Sequence, residues 1–215
     1  MISQRISELK QRIAAANSDG RDIKIVAVTK FRTPEQINTV LSCGITDIGE
    51  NRVQHLLQKL PDINPSVIHL IGHLQSNKAM DAVKSADLIQ SVDTAHILTE
   101  IDRCAAKVGK IQDVLLQVNI AHEQTKFGMT EQELPEMLTL ASGLGNVRVK
   151  GLMAIMPIEK KEKYYRDMHE LFLKAGQICP PGVDMDILSM GMSGDFEDAV
   201  ANGATMVRVG TFIFS

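Results

Sequence analysis

Lys30 is the residue whose type and position most directly suggest chemistry. It ends a run of β-branched and small apolar residues, Ile23 to Lys30, that is typical of a buried strand. Side chains alternate along a strand, so Val26, Val28 and Lys30 share one face. If that face lines a barrel, Lys30 projects into its mouth, where lost hydration makes the amine less basic and more nucleophilic toward an aldehyde. The alternative is a lysine that turns outward and pairs with a rim carboxylate such as Glu50.

Two segments rich in small residues, Ser189 to Gly194 and Arg208 to Thr211, could bind an anion. Small residues let backbone N–H groups approach a phosphate, and a helix that begins near Ser193 would direct the positive end of its dipole there. A plain turn followed by a helix cap explains the same residues equally well. The sequence therefore leaves both interpretations open at this point.

Arg208 is a second charged residue predicted to face inward, because it shares strand parity with Met206 and Gly210. A permanently charged guanidinium in such a place needs an anion or a lone-pair acceptor. It could pair with Glu50. It could instead donate to the ring nitrogen of a bound aromatic cofactor, which would keep a pyridine nitrogen unprotonated and make the ring a weak electron sink.

His69 and His73 are spaced by four residues, but at the end of a strand this spacing does not form a metal pair. No third ligand of matching type accompanies them, so we expect no metal. The polar residues Asn119 and Lys126 are interpreted as ordinary turn and capping chemistry on the same side of the molecule.

Eight short apolar runs alternate with segments of helical periodicity, a pattern typical of parallel strands joined by helices. The runs are Ile23 to Lys30, Asp47 to Asn51, Val67 to Gly72, Leu88 to Asp93, Val114 to Ile120, Val149 to Met156, Asp186 to Ser189 and Met206 to Phe214. Eight such units predict a single (β/α)8 TIM-type barrel over residues 1–215, preceded by an extra helix over about residues 2–17. An open doubly wound sheet is the alternative, but the Gly-rich dinucleotide turn is missing after the first run.

Composition narrows the class of protein. Apolar residues make up 44% of the 215 residues and charged residues 23%, which predicts a folded chain with a substantial core. The net charge of −3 and the absence of a basic patch argue against nucleic acid or anionic lipid as a partner. Residues Met1 to Asn17 lack the apolar core of a signal peptide, and no stretch approaches the roughly 18 apolar residues of a membrane span. The three cysteines form no C-x-x-C pair, which indicates free thiols in the cytoplasm.

Several motifs together resemble the pyridoxal phosphate homeostasis proteins, of the YggS/PROSC type. The matching segments are Ala27–Lys30, Gly49–Gln54, His69–Lys78, Lys126–Gly128, Gly151–Ala154, Leu188–Ser193 and Val207–Thr211. The fold of this family is similar to the N-terminal barrel of alanine racemase. The resemblance implies that Lys30 carries pyridoxal 5′-phosphate (PLP) as a Schiff base and that Asn51 lies beside the ring. It also implies that Arg208 faces the pyridine nitrogen, and that Ser189, Ser193, Gly210 and Thr211 surround the phosphate.

Three functions are compatible with such a lysine: a non-catalytic PLP carrier, a PLP-dependent racemase or decarboxylase, and a Schiff-base aldolase. Racemases and decarboxylases of this type add a second domain, which we expect this chain to lack, and Tyr164 and Tyr165 fall in an outer helix. Aldolases usually carry the lysine late in the sixth strand, whereas Lys150 begins it. We therefore expect a monomeric, non-catalytic protein of vitamin B6 homeostasis whose partners are PLP and apo-enzymes that use it.

Overall fold

A computed structural model of the chain describes residues 1–157 and 161–215. Eight parallel strands follow one another around a closed barrel, and the last strand pairs with the first. The strands are β1 (Lys24–Val28), β2 (Asp47–Glu50), β3 (Val67–Leu70), β4 (Leu88–Val92), β5 (Gln112–Val118), β6 (Val147–Ala154), β7 (Val183–Ser189) and β8 (Met206–Val209). The predicted (β/α)8 architecture is confirmed.

Helices surround the barrel. They are α1 (Ile2–Ala16), α2 (Pro34–Ser42), α3 (Val53–Lys59), α4 (Ala79–Ser85), α5 (Ala95–Val108), α6 (Leu134–Ser142), α7 (Lys161–Ile178), α8 (Phe196–Ala201) and α9 (Thr211–Phe214). The predicted N-terminal helix is α1, which packs against α8 and α9. Within the described ranges, no helix combines the length and hydropathy of a membrane span. The three cysteines are free thiols.

Two apolar layers hold the barrel together. A small inner cluster contains Val26, Leu88, Leu115, Met153 and Met206, and a much larger cluster lies between the strands and the helices. In β1, Val26 belongs to the inner cluster while its neighbour in sequence, Ala27, belongs to the outer one. The alternation assumed for this strand is therefore the observed one.

Local capping signals set several helix boundaries. The Thr33 side chain accepts a hydrogen bond from the Gln36 N–H at the start of α2, where Pro34 occupies the first helical position. Thr94 caps α5 in the same manner, and α5 ends at Gly109 in the left-handed conformation. These caps fix where α2 and α5 begin, after the short turns that follow β1 and β4.

The last predicted strand, Met206 to Phe214, is too long. β8 ends at Val209 and the short helix α9 follows it. The Ser193 hydroxyl accepts hydrogen bonds from the N–H groups of Gly210 (3.1 Å) and Phe212 (3.2 Å). These contacts take the backbone out of the sheet, which an apolar pattern such as Phe-Ile-Phe cannot reveal.

Ser193 does not cap α8, although a helix cap there was one of the two interpretations that the sequence left open. Ser193 directs its hydroxyl to the turn after β8, and the residue at the N-cap position is Asp195. The Asp195 carboxylate instead accepts a hydrogen bond from the Met192 N–H at 2.7 Å. Ser193 thus joins the loops after β7 and β8 rather than starting a helix.

Candidate functional site

Lys30 lies in the turn immediately after β1, and its side chain is exposed. The rim carboxylate considered as its partner is engaged elsewhere: Glu50 is buried, and its Oε1 lies 2.5 Å from Lys59 Nζ and 2.9 Å from Thr29 Oγ1. No hydrogen bond or ion pair joins the Lys30 amine to any residue in the described ranges 1–157 and 161–215. The outward pairing with Glu50 is therefore wrong, and the amine is available.

The turn that presents Lys30 has an unusual backbone. Phe31 has a φ of +62°, a conformation that costs a residue other than glycine about 1–2 kcal/mol, and its side chain is 83% exposed. The turn is closed by the Arg32 N–H, which donates to the Thr29 carbonyl at 3.0 Å. Thr29 is itself fixed, because its N–H donates to the Gly49 carbonyl at 2.9 Å. The lysine thus sits on a short turn that is anchored to β2.

Arg208 is buried inside the barrel, as its strand parity predicts. Its Nη1 donates to Ser189 Oγ at 2.6 Å and its Nη2 donates to the Ala154 carbonyl at 2.9 Å. Ser189 and Ala154 are the last residues of β7 and β6, so the guanidinium lies at the level of the mouth. Burial lowers the pKa of Arg208 to about 10, which leaves it protonated at neutral pH. The suggested pairing with Glu50 is not observed.

The two serines near the C-terminus have different surroundings. Ser189 is fully buried, accepts a hydrogen bond from Arg208, and donates to Gln90 Oε1 at 2.7 Å. Ser193 is only half-buried and lies in the loop after β7, against the turn after β8. Ser193 is therefore accessible from the barrel exterior, whereas Ser189 supports Arg208.

The turns after β7 and β8 present free backbone donors. Among the described residues, no acceptor is within hydrogen-bond distance of the N–H groups of Ser193, Gly194 and Thr211. Two glycines allow this close arrangement. Gly191 has a φ of +95°, and a Cβ there would lie 2.5 Å from the Ala199 Cβ; a Cβ on Gly210 would lie 3.1 Å from the Val28 Cβ. Free N–H groups on two adjoining turns suit a phosphate.

Asn51 lies directly after β2, so Lys30 lies between it and the turns after β7 and β8. The register pairs Val28 with Gly49, so Lys30 and Asn51, each two residues further on, end neighbouring strands. Asn51 is exposed and lines a cavity of about 440 Å³ together with Arg52, Gly72, Lys78 and others. The seven predicted ligand residues thus occupy the ends of four consecutive strands around the closed barrel, β7, β8, β1 and β2.

The two histidines are separated by the sheet geometry. His69 is buried inside the barrel, while the ring of His73 stacks on Phe127 with centroids 3.8 Å apart. The Nδ1 of His73 lies 3.1 Å from Asp93 Oδ2, a pair that the sequence reading did not anticipate. In the part of the chain that the structure describes, no three His, Cys, Asp or Glu residues are grouped as metal ligands.

Other polar residues have the roles expected of turns. The Asn119 amide donates to the carbonyls of Glu123 and Lys126, and its Oδ1 accepts from the Glu123 N–H. Lys150 pairs with Asp184 and Asp186 of β7, away from Lys30 in the fold. Gln90 is the inner residue that the sequence reading missed; it shares strand parity with the inward-facing Leu88, so a polar residue at an interior position was the available signal.

Comparison with known proteins adds three findings. A family model described as the N-terminal domain of alanine racemase matches residues 3–215. A protein of Aquifex aeolicus named pyridoxal phosphate homeostasis protein is 37% identical over 221 residues, covering 98% of this chain and 96% of the relative. Two solved structures of PipY from Synechococcus elongatus, 32% identical, cover 100% of both chains. The TM-score is 0.91 for PipY without PLP and 0.84 for PipY with PLP bound.

Proposed function

Because the chain belongs to the alanine racemase N-terminal domain family and, within it, to the pyridoxal phosphate homeostasis proteins, we propose that it holds PLP as a Schiff base on Lys30. The protein binds PLP and takes part in vitamin B6 homeostasis. The observation that carries the assignment to Lys30 is its free amine at the end of β1, next to the strand that buries Arg208. A lysine amine condenses with an aldehyde to form a Schiff base, and PLP supplies that aldehyde.

The donor set of the mouth fits the phosphate of this cofactor. The N–H groups of Ser193, Gly194 and Thr211 are free, and the Thr211 side chain is exposed beside them. Gly210 packs against Val28 of β1, so this cradle lies beside the strand that ends at Lys30. We assign the phosphate to the turns that hold Ser193, Gly210 and Thr211. Gly210 contributes space rather than a donor, because its N–H already donates to Ser193 Oγ. We give Ser189 a supporting role behind Arg208.

Arg208 and Asn51 fit the ring of the cofactor. A guanidinium has donors only, so it binds a pyridine nitrogen through the lone pair and disfavours its protonation. Asn51 ends the strand on the other side of Lys30 and is exposed to the mouth. The two residues would therefore orient the ring between β8 and β2.

A non-catalytic role is part of the proposal. The relatives are named for homeostasis, and Arg208 would leave the ring a poor electron sink. Apo-enzymes that use PLP are the proposed recipients. A cytoplasmic, monomeric state is supported by the three free thiols and by exposed apolar side chains that come from separate elements, such as Phe31, Val108 and Leu173. The His73–Asp93 pair is the feature that favours the alternative, a PLP-dependent racemase or decarboxylase, because it resembles an acid–base dyad at the mouth.

The test is covalent trapping. The purified protein with PLP should show a visible absorption band that borohydride abolishes, and peptide mapping should place the pyridoxyl group on Lys30. Lys30→Ala should remove the band. Lys78→Ala, which changes another lysine at the mouth, should retain it. A label on another lysine of the wild-type protein, with Lys30 unmodified, would contradict the assignment.

A further inference from the structure

Arg208 is a buried cation without an adjacent anion. In the described ranges no carboxylate lies within 4 Å of its guanidinium, and its two hydrogen bonds go to a hydroxyl and a carbonyl. A buried charge of this kind is costly unless other groups compensate it. Asp195 acts on this guanidinium from a distance, and the groups that the guanidinium contacts directly provide a second route for compensation.

A chain of hydrogen bonds crosses the barrel interior from Arg208. Ser189 Oγ, which accepts from Arg208, donates to Gln90 Oε1 at 2.7 Å. Gln90 Nε2 lies 2.8 Å from His69 Nδ1, and His69 Nε2 lies 2.8 Å from Asp47 Oδ1. All five side chains are buried, and they come from β8, β7, β4, β3 and β2.

The hydrogen bonds from Arg208 to Asp47 all run from donor to acceptor in one direction. Because Gln90 Nε2 can only donate, His69 Nδ1 must accept, and the proton of a neutral His69 ring lies on Nε2, facing Asp47. Turning the Gln90 amide around would leave the Ser189 hydroxyl proton facing an N–H group. Each group therefore donates to the next, from the Arg208 cation to the Asp47 carboxylate.

Asp47 is suited to be the anionic end. Burial raises the pKa of this carboxyl, but hydrogen bonds from His69 and Thr46 and the charge of Lys24 outweigh it and hold the pKa below its usual value. The Thr46 hydroxyl donates to Asp47 Oδ2 at 2.7 Å, and Lys24 Nζ lies 3.5 Å from Oδ1. The carboxylate is thus ionised at neutral pH and fixed in place.

We propose that Gln90, His69 and Asp47 are positioning residues that hold Arg208 in the orientation needed to donate to a ring nitrogen. The proposal rests on the function proposed above, in which Arg208 faces the cofactor ring. The chain occupies Ser189 and one N–H of the guanidinium, fixes its plane, and leaves other N–H groups for a lone-pair acceptor. The chemistry that it selects is an unprotonated aromatic nitrogen.

The test compares two ligands that differ at the ring nitrogen: PLP and its 1-deaza analogue, in which C–H replaces that nitrogen. The wild-type protein should prefer PLP by about 10- to 100-fold, the value of one charge-assisted hydrogen bond. Gln90→Leu, which breaks the chain, should reduce this preference to a few-fold while the affinity for the deaza analogue changes little. Leu88→Met alters the same strand and the same interior face outside the chain, and should keep the full preference.

The outcomes separate the proposals. If Gln90→Leu loses affinity equally for PLP and for the deaza analogue, the role of Gln90 is merely structural. If the variant keeps the full preference for PLP with no loss of affinity, the positioning role is also overturned, while the ring contact of Arg208 remains intact. A wild-type protein that binds both ligands equally would overturn the role of Arg208 itself, while trapping on Lys30 tests PLP binding independently. Should Gln90→Leu not fold, histidine side-chain NMR of the unliganded wild-type protein decides: His69 must carry its proton on Nε2, and a proton on Nδ1 overturns the chain.

Discussion

At the residue scale, the proposed site has three parts: the reactive amine of Lys30, the two turns proposed to bind an anion, and the buried cation Arg208. Lys30 is exposed and unpartnered among the described residues, whereas its nearest candidate partner, Glu50, is committed to Lys59. Thr211 is exposed at the first position of α9, beside Gly210. The cradle can therefore be tested apart from the covalent bond.

Pyridoxal without its phosphate should bind orders of magnitude more weakly than PLP, because each charge-assisted hydrogen bond is worth roughly 1.5–3 kcal/mol. Thr211→Ala should weaken PLP binding about tenfold and leave pyridoxal binding unchanged, as measured by titration of the visible absorption band. Thr99→Ala on the outer face of α5 is the control, since its hydroxyl bonds only the Ala95 carbonyl. Equal affinities for PLP and pyridoxal would argue against a phosphate site in these turns.

At the element scale, the residues of the proposed site lie on short connections, and the longer helices pack against these connections. The N-terminal helix α1 packs on α8 and α9, the helices that follow the turns proposed to bind the phosphate, and Arg12 of α1 forms a paired contact with Glu197 of α8. The rings of Phe196 and Phe212 lie under the same guanidinium, 5.1 and 5.2 Å from it. Helix α1, which the sequence analysis predicted as an extra helix, therefore packs against the helices that follow the two turns of the proposed phosphate site.

The turn between β1 and α2 gives a stability prediction. At a positive φ the normal ranking of residues is reversed, so Phe31→Gly should be more stable than Phe31→Ala by about 1 kcal/mol in urea unfolding. Ile111 is also an exposed apolar residue but lacks a positive φ, so Ile111→Gly should be less stable than Ile111→Ala. The same order at both positions would mean that the Phe31 conformation is not strained.

Sequence periodicity predicted the eight strands because buried parallel strands are continuous apolar runs, and it predicted that Arg208 faces inward because parity is a local property. Lys30 lies beyond the end of β1 and is exposed, so the loss of hydration expected for its amine is not observed. It could not predict that Ser193 binds the turn after β8, since that contact joins loops 17 residues apart along the chain. Periodicity could not predict the hydrogen-bonded chain through Gln90 and His69 for the same reason. Its members come from five strands, and only closure of the barrel brings them together.

At the scale of the whole molecule, a barrel of this type can either store a cofactor or use it. A guanidinium on the ring nitrogen weakens the electron sink, and general acid–base assistance would otherwise contribute typically 10²–10⁴-fold per group. The His73–Asp93 pair is the acid–base candidate among the described residues of the mouth. Activity measurements can therefore separate a carrier from an enzyme.

We expect the PLP-loaded protein to show no significant racemisation, transamination or decarboxylation of common amino acids above the rate of free PLP. Deleting its gene should instead disturb cellular vitamin B6 pools. Chiral chromatography and amine analysis after long incubation would measure the activities. Robust turnover that Lys30→Ala abolishes would favour an enzyme, and its sensitivity to His73→Ala would then identify the base.

Closure of the barrel by β1 and β8 has a consequence for biosynthesis. Lys30 is made before the Arg208–Thr211 segment, so a nascent chain holds the amine long before it holds the turn proposed to bind the phosphate. Domains form on the ribosome at about 5–20 residues per second, and pairing of such distant segments is the slow part of folding. Cofactor capture by the proposed site therefore waits until β8 and the turn after it have been made.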